Sequence, residues 1–314
     1  MFKQMLGACL VILVIASATS EATGIDCDDK STYQLLRVID VEGRQGVATD
    51  GQNYFVSGNT TLYRYSKTGE LLAKNDNAVE GLPRPANHIG DISVHGGEIF
   101  AGIEWFEDGQ GKDIQIAVYD ASTLSYKRSI FWEPESGQVE VSAVAIDPLR
   151  ESIWMTDWVN GRYLYRYDLI TGDYAARLHL RAPPQWQQGI AVKGDHLYLT
   201  ADDGDAEDHE VDNLWRLAAN VQDTAAYVTH EHAFSEFRRA GEIEGIAFDE
   251  DAGEMIVLAN RGKRIILGMP KGLYPGYDRE IHELYVYSIN LPRASRGECD
   301  YLAQERPNQA TFLR

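Results

Sequence analysis

Oxygen-bearing side chains recur at the same two points of a pattern that runs through most of the chain. Asn59, Glu104, Asp157, Asp202 and Asn260 each follow a short apolar run. Gln45, Asp91, Ser142, Gln188 and Glu244 open the apolar run before that one, and His88, Glu140, Trp186 and Glu242 stand two or three positions earlier. Carboxylate and amide oxygens in this number suit a hard cation such as calcium, which takes about six to eight oxygen ligands. The expected metal ligands are Glu244, Asn260, Asp157 and Asp202, backed by Glu104, Gln188 and Asp91. No cysteine lies near them and His88 is the sole adjacent imidazole, which disfavours zinc. With a cation bound, Asp157, Glu244 and His88 are the candidates for base or nucleophile. Each Asp or Asn also has a purely structural reading, because these residues close Asx turns at strand ends. Arg44 and Arg261 lie close enough in sequence to neutralise the carboxylates instead. Gly-Xaa-Ser-Xaa-Gly, glycine-rich phosphate loops and paired-histidine zinc motifs are absent.

Aromatic residues accompany the acids. Trp105, Trp158 and Trp186, with Gln188, are the expected contacts for a small-molecule or glycan ligand, and inter-element packing is their alternative role. Trp154 and the Tyr163/Tyr165/Tyr167 row read as core. The densest acidic loop, Asp202 to Asp208, fails the EF-hand pattern, since Asp208 stands where glycine is required. It reads as a solvated charge run or a loose calcium loop.

The elements that must carry these residues are strands. Gln45-Gly46-Val47-Ala48, Gly90-Asp91-Ile92-Ser93, Ser142-Ala143-Val144-Ala145, Gln188-Gly189-Ile190-Ala191 and Glu244-Gly245-Ile246-Ala247 begin about 45 to 56 residues apart. That is the spacing of four-stranded propeller blades. The fold class expected is therefore all-β, a single propeller with five blades over approximately 42–85, 86–137, 138–182, 183–238 and 239–290. A sixth stays open if 261–282 hides a degenerate unit. The fifth blade lacks an outer strand, and 33–41 has no blade of its own, so this amino-terminal strand is expected to close the ring and remove the exposed edge. The fourth blade is expected to end on an outer strand over 226–233. In such a ring, the loops into the innermost strands and those after the second strands open on one face. Both series of polar residues therefore belong at one channel mouth.

Residues 1–20 read as a signal peptide: Lys3, an apolar run from Leu6 to Ile15, and small residues at 16–20. The mature domain would span 21–314, with 291–314 as a tail, and the chain is expected to be secreted. Cys27 and Cys299 flank the repeats and are expected to form a disulfide at the ring seam, with unpaired or intermolecular thiols as the alternative. Asn59-Thr60-Thr61 is a glycosylation sequon in a eukaryotic source. The net charge of −19 repels nucleic acid and anionic membranes and favours cations or cationic partners. No run is long enough to span a bilayer, and a monomer is expected.

Two segments resemble known families. Val141–Leu169, containing Ile153-Trp154-Met155-Thr156-Asp157, is similar to the YWTD type of extracellular propeller repeat. Glu244-Gly245-Ile246-Ala247-Phe248-Asp249, followed by Ala259-Asn260, resembles the strand pair of gluconolactonase/regucalcin-like and phytase-like propellers. That resemblance implies a calcium-dependent hydrolase of lactone, ester or phosphoester substrates. A non-catalytic propeller binding a small molecule, glycan or protein on its Trp-lined face is the competing expectation.

Overall fold

The computed structural model describes residues 32–237, 240–266 and 269–290. The expected signal peptide, the Cys27–Cys299 bond and the carboxy-terminal tail lie outside the described residues. Strand β1 (Thr32–Val41) comes first. The first blade then contains β2 (Gly46–Thr49), β3 (Asn53–Ser57), β4 (Leu62–Ser66) and β5 (Leu71–Asn75). The second contains β6 (His88–His95), β7 (Glu98–Glu107), β8 (Gln110–Asp120) and β9 (Tyr126–Phe131). The third runs through β10 (Val144–Asp147), β11 (Ser152–Met155), β12 (Tyr163–Asp168) and β13 (Tyr174–Arg181). The fourth begins with β14 (Gln187–Lys193), β15 (His196–Ala201) and β16 (Asn213–Ala218), followed by β17 (Ala225–Tyr227) and β18 (Thr229–Ala233). Then come β19 (Ile243–Asp249), β20 (Glu254–Arg261), the hairpin β21 (Lys263–Ile266) and β22 (Met269–Leu273), and β23 (Ile281–Asn290).

The four strands of each blade pair antiparallel, with the inner strand packed between its neighbours and the outer strand the more exposed. The sequence shows this difference directly. All four residues of β10, Val144-Ala145-Ile146-Asp147, are buried, whereas Leu71-Leu72-Ala73-Lys74-Asn75 of β5 is exposed or half-buried throughout. The inner strands touch in a closed circuit, β2 to β6 to β10 to β14 to β19 and back to β2.

The apolar core is divided among the blade interfaces. Phe55 and Leu62 of the first blade pack with Ile92, Ile99 and Tyr119 of the second. Val47 and Tyr54 pack with Ile256, Leu258 and Val286 of the fifth, which closes the ring. Trp154, Tyr165 and Tyr167 are fully buried core residues of the third blade. Full burial of each Leu, Ile or Phe side chain in these interfaces contributes about 1.5–3 kcal/mol.

The fifth sheet has the order β1-β23-β20-β19. Strand β1 pairs antiparallel with β23 from Thr32 opposite Asn290 to Val41 opposite His282. The amino-terminal strand thus closes the ring as expected. Strand β20 pairs with β23 from Glu254 opposite Ser288 to Arg261 opposite Ile281. Because these two strands are direct partners, 262–280 is an insertion carrying the two-stranded β21–β22 hairpin, and the ring has five blades.

The outer strand of the fourth blade differs from expectation. Residues 226–233 do not form one strand. Ala225–Tyr227 crosses to the third blade and pairs parallel with β13, and only Thr229–Ala233 pairs with β16. Val228 at the crossing is buried, and its N–H donates to the Arg181 carbonyl at 3.1 Å. The crossing covers a strand edge that would otherwise present free N–H and C=O groups. Among the described residues no helix is long and apolar enough to cross a membrane.

Candidate functional site

At the channel centre a single carboxylate joins four strands. Asp91 is completely buried. Its Oδ1 accepts the backbone N–H of Val47 at 2.8 Å and of Ile92 at 2.9 Å. Its Oδ2 accepts from Ile190 at 3.3 Å and Ile246 at 3.2 Å. Burial pushes the carboxyl well above its ordinary range, against the pull of the four donors. The glycine that precedes the apolar pair in most repeats follows from this convergence. A Cβ on Gly46 or Gly245 would lie 2.6 or 2.2 Å from Asp91 Oδ1, closer than atoms can pack. Asp91, expected as a metal ligand, thus has both oxygens occupied by strand N–H groups.

The remaining polar residues separate into two clusters. In the first, His88 on β6 and Glu104 on β7 are direct cross-strand partners, and His88 Nδ1 lies 3.3 Å from Glu104 Oε1. Glu140 enters from the connection ahead of β10. One ligand atom from each of His88, Glu104 and Glu140 lies within 4.8 Å of the others. Backbone N–H groups orient the two carboxylates, Val141 donating to Glu104 at 2.9 Å and Trp158 to Glu140 at 2.5 Å. No lysine or arginine pairs with Glu104 or Glu140 among the described residues. Burial raises the Glu140 carboxyl well above its usual range, and the Glu104 and Asp157 charges add to the rise. Burial also raises Asp157, although its oxygens accept from Asn160 at 2.9 Å and Val139 at 3.2 Å. Asp157 therefore holds the loop that carries Trp158.

In the second cluster, on the fifth-blade side, Arg44 is surrounded by acids. Its Nη2 lies 2.9 Å from Glu242 and 3.6 Å from Glu244, and its Nε lies 3.0 Å from Glu280. Asn260 donates to Glu244 Oε1 at 2.8 Å and to the Arg44 carbonyl at 2.9 Å. Glu244 and Asn260, expected as metal ligands, are thus paired with protein groups. Arg261 is likewise engaged, forming a bidentate pair with Glu283 at 2.8 and 2.9 Å.

His282 lies at the edge of this cluster, its Nδ1 2.8 Å from Asn260 Oδ1. Burial pulls its imidazole down to about 4, with Arg44 and Lys263 assisting against Glu280. The unfolded chain takes up this proton near pH 6.5, so stability is retained above that pH and falls as pH drops toward 4. The expected loss reaches about 3 kcal/mol. Urea unfolding across that interval should show a steeper decline for wild type than for His282→Gln.

Two cavities open at the mouth. One, of about 210 Å³, is lined by His88, Glu140, Trp158, Gln188 and Phe106 together with Gln45 and Asn59. Exposed Asn59 accepts from Gln45 Nε2 at 3.0 Å at this rim. The other, of about 270 Å³, is lined by Trp158, Trp186, Asp202 and Tyr274. Lys263 and Ile265 of the insertion hairpin line both. Trp105 is 39% exposed and lines neither cavity, while its neighbour Phe106 lines the first. Trp186, Trp158, Phe106 and His88 form a chain of ring contacts, with successive centroids 4.7, 6.4 and 5.6 Å apart. Glu140 and Arg44 complete the two clusters. Their place in the repeat identifies both as mouth residues, but spacing alone does not distinguish a prospective ligand from a counter-ion.

The sheets and the mouth define a five-bladed β-propeller with an acidic, partly neutralised channel opening. No family model matches the chain, and no curated protein is similar to it. Among solved structures it is similar to a chain in a crystal structure of a mitotic checkpoint complex, with 10% identity and a TM-score of 0.41 over 90% of this chain and 99% of that one. It is also similar to hydrazine synthase from Kuenenia stuttgartiensis, with 11% identity and a TM-score of 0.42 over 83% of this chain and 65% of that one. The propeller architecture rests on the sheet pairing itself.

Proposed function

We propose that this protein is a divalent-cation-binding propeller, with His88, Glu104 and Glu140 as the protein ligands. The first cavity then serves as the site of an oxygen-bearing ligand. The observation that carries this reading is the convergence of these three side chains within 4.8 Å. Calcium was the cation favoured by the oxygen-rich sequence pattern. An imidazole beside two carboxylates instead matches zinc or manganese, because imidazole nitrogen suits transition metals and calcium prefers oxygen alone. A cation in this position would polarise a carbonyl or phosphoryl oxygen. Secretion, proposed from residues 1–20, would place the site outside the cell.

Hydrolysis of a lactone, ester or phosphoester is the second reading, favoured by the cavity of about 210 Å³ beside the three ligands. Asp157 and Glu244, the candidate bases, are held by backbone N–H groups and by Arg44 with Asn260. This arrangement supports binding more directly than turnover.

Trp158 donates its backbone N–H to Glu140, so tryptophan fluorescence should report occupancy. Dialysed protein titrated with zinc, manganese and calcium is expected to take up one ion per chain, with calcium the weakest. His88→Ala and Glu140→Gln should each weaken uptake by at least about tenfold, the loss typical even of a residue that only supports a ligand. Uptake by both variants equal to that of wild type, or none by wild type, would overturn the site. Metal-dependent cleavage of a simple ester, lactone or phosphoester would favour the hydrolase.

A further inference from the structure

We infer that the second cavity binds an alkylammonium group, seated against Trp158 and Trp186 and facing the Asp202 carboxylate. This cavity adjoins the one beside His88, sharing Trp158, Lys263 and Ile265 with it, but its chemistry requires no metal.

The backbone is shaped to present these walls. Trp186 has φ +52°, a left-handed conformation that is uncommon for a bulky residue and concentrates at functional sites. Its carbonyl accepts the Asp202 N–H at 3.0 Å, which ties together the backbones of two residues that line the cavity. The Trp158 and Trp186 ring centroids are 4.7 Å apart and inclined by 38°. Tyr274 lines the same space.

Charge accounting leaves this cavity negative. Among its lining residues, Lys263 is paired with Glu280 at 3.3 Å and Glu242 with Arg44 at 2.9 Å. Glu207 is paired with Arg264. Asp202 and Asp205 form no ion pair among the described residues. Asp205 accepts backbone N–H from Glu207 at 2.8 Å and Asp208 at 3.3 Å, while the Asp202 carboxylate accepts no hydrogen bond there. Burial, with Asp212 and Glu242 nearby, raises the Asp202 carboxyl well above its usual range, as expected of an acid lacking a counter-ion.

The chemistry selects an organic cation over a metal ion. Among the His, Cys, Asp and Glu side chains of the described residues, His88, Glu104 and Glu140 converge in a group of three close enough for a metal, and Asp202 belongs to no such group. Indole faces attract a weakly hydrated ammonium through the ring quadrupole, and quaternary ammonium ligands are recognised by such aromatic surfaces. At about 270 Å³ the space lies near the lower end of ligand pockets, which suits a small head group. The overall charge of −19 would raise the local concentration of such a ligand.

Calorimetric titration of the metal-free protein with choline, and with its uncharged carbon isostere, tests the assignment. Choline is expected to bind at least about tenfold more tightly than the isostere. Asp202→Asn and Trp186→Ala should each reduce choline affinity by about tenfold. Butylammonium and an acetylated lysine amide, titrated in parallel, distinguish a free amine from a lysine side chain as the source of the ammonium group. Equal affinity for choline and its isostere would overturn the inference, as would no detectable choline binding. Should Trp186→Ala fail to fold, Asp202→Asn decides, and undiminished binding by that variant refutes the proposal.

Discussion

Asp91→Ala is expected to abolish the folded ring or leave it barely stable at 25 °C. The substitution removes the acceptor for Val47, Ile92, Ile190 and Ile246 N–H groups at the completely buried channel centre. Each buried donor left without a partner costs about 1–3 kcal/mol, so four together cost about 4–12. Domains of ordinary stability have about 5–15 kcal/mol in total. Asp91→Asn should be milder but still damaging, because its amide retains one oxygen and turns an NH₂ toward N–H groups. Urea unfolding followed by far-ultraviolet circular dichroism would check both variants. An Asp91→Ala protein within about 1 kcal/mol of wild type would show that ordered water or local rearrangement can replace the carboxylate. The same crowding predicts that Gly245→Ala is poorly tolerated.

Arg44→Met should cost about 3–5 kcal/mol, the range for breaking a buried ion pair by removing one partner. Arg44 lies within 3.6 Å of Glu242, Glu244 and Glu280. Without it, burial leaves the Glu242 and Glu244 carboxyls with an increased preference for the protonated form. An acid whose folded-state pKa is raised loses stability as pH rises above its unfolded value. The gap between Arg44→Met and wild type should therefore narrow as pH falls from about 8 to about 5. Adding Glu242→Gln and Glu244→Gln to the variant should recover much of the loss, because neutral groups need no counter-ion. A constant gap across that range would show that Arg44 acts through packing instead of charge.

Different residues explain why parts of this architecture were legible and others were not. The glycine-led apolar pairs, such as Gly46-Val47 and Gly245-Ile246, located the inner strands because close backbone approach and two-sided burial restrict which residues fit. The unpaired 33–41 segment identified the closing strand, since an exposed sheet edge requires a partner. The crossing at Val228 left no comparable trace. Ala225-Ala226-Tyr227 and Thr229-His230-Glu231-His232-Ala233 have no break of glycine or proline between them, and parallel pairing with β13 is a contact between blades.

The mouth shows the same boundary more sharply. Repeat position identified His88, Glu104, Glu140, Asp157, Asp202, Glu244 and Asn260 as residues of one face, and local alternation is enough for that. It could not assign their partners, because those pairings form across the ring. Glu104 meets Glu140 from the next blade, and Arg44 reaches Glu242 and Glu280, 198 and 236 residues further along the chain. The linear chain thus determined a propeller of five or six blades, its closure and the polar character of the mouth, all consequences of short-range periodicity and turn chemistry, and the β20–β23 pairing fixed the count at five. Tertiary structure alone made Asp91 a structural hub, neutralised Glu244 and left His88, Glu104 and Glu140 together, because charge and hydrogen bonding are resolved among side chains that meet only when the ring closes.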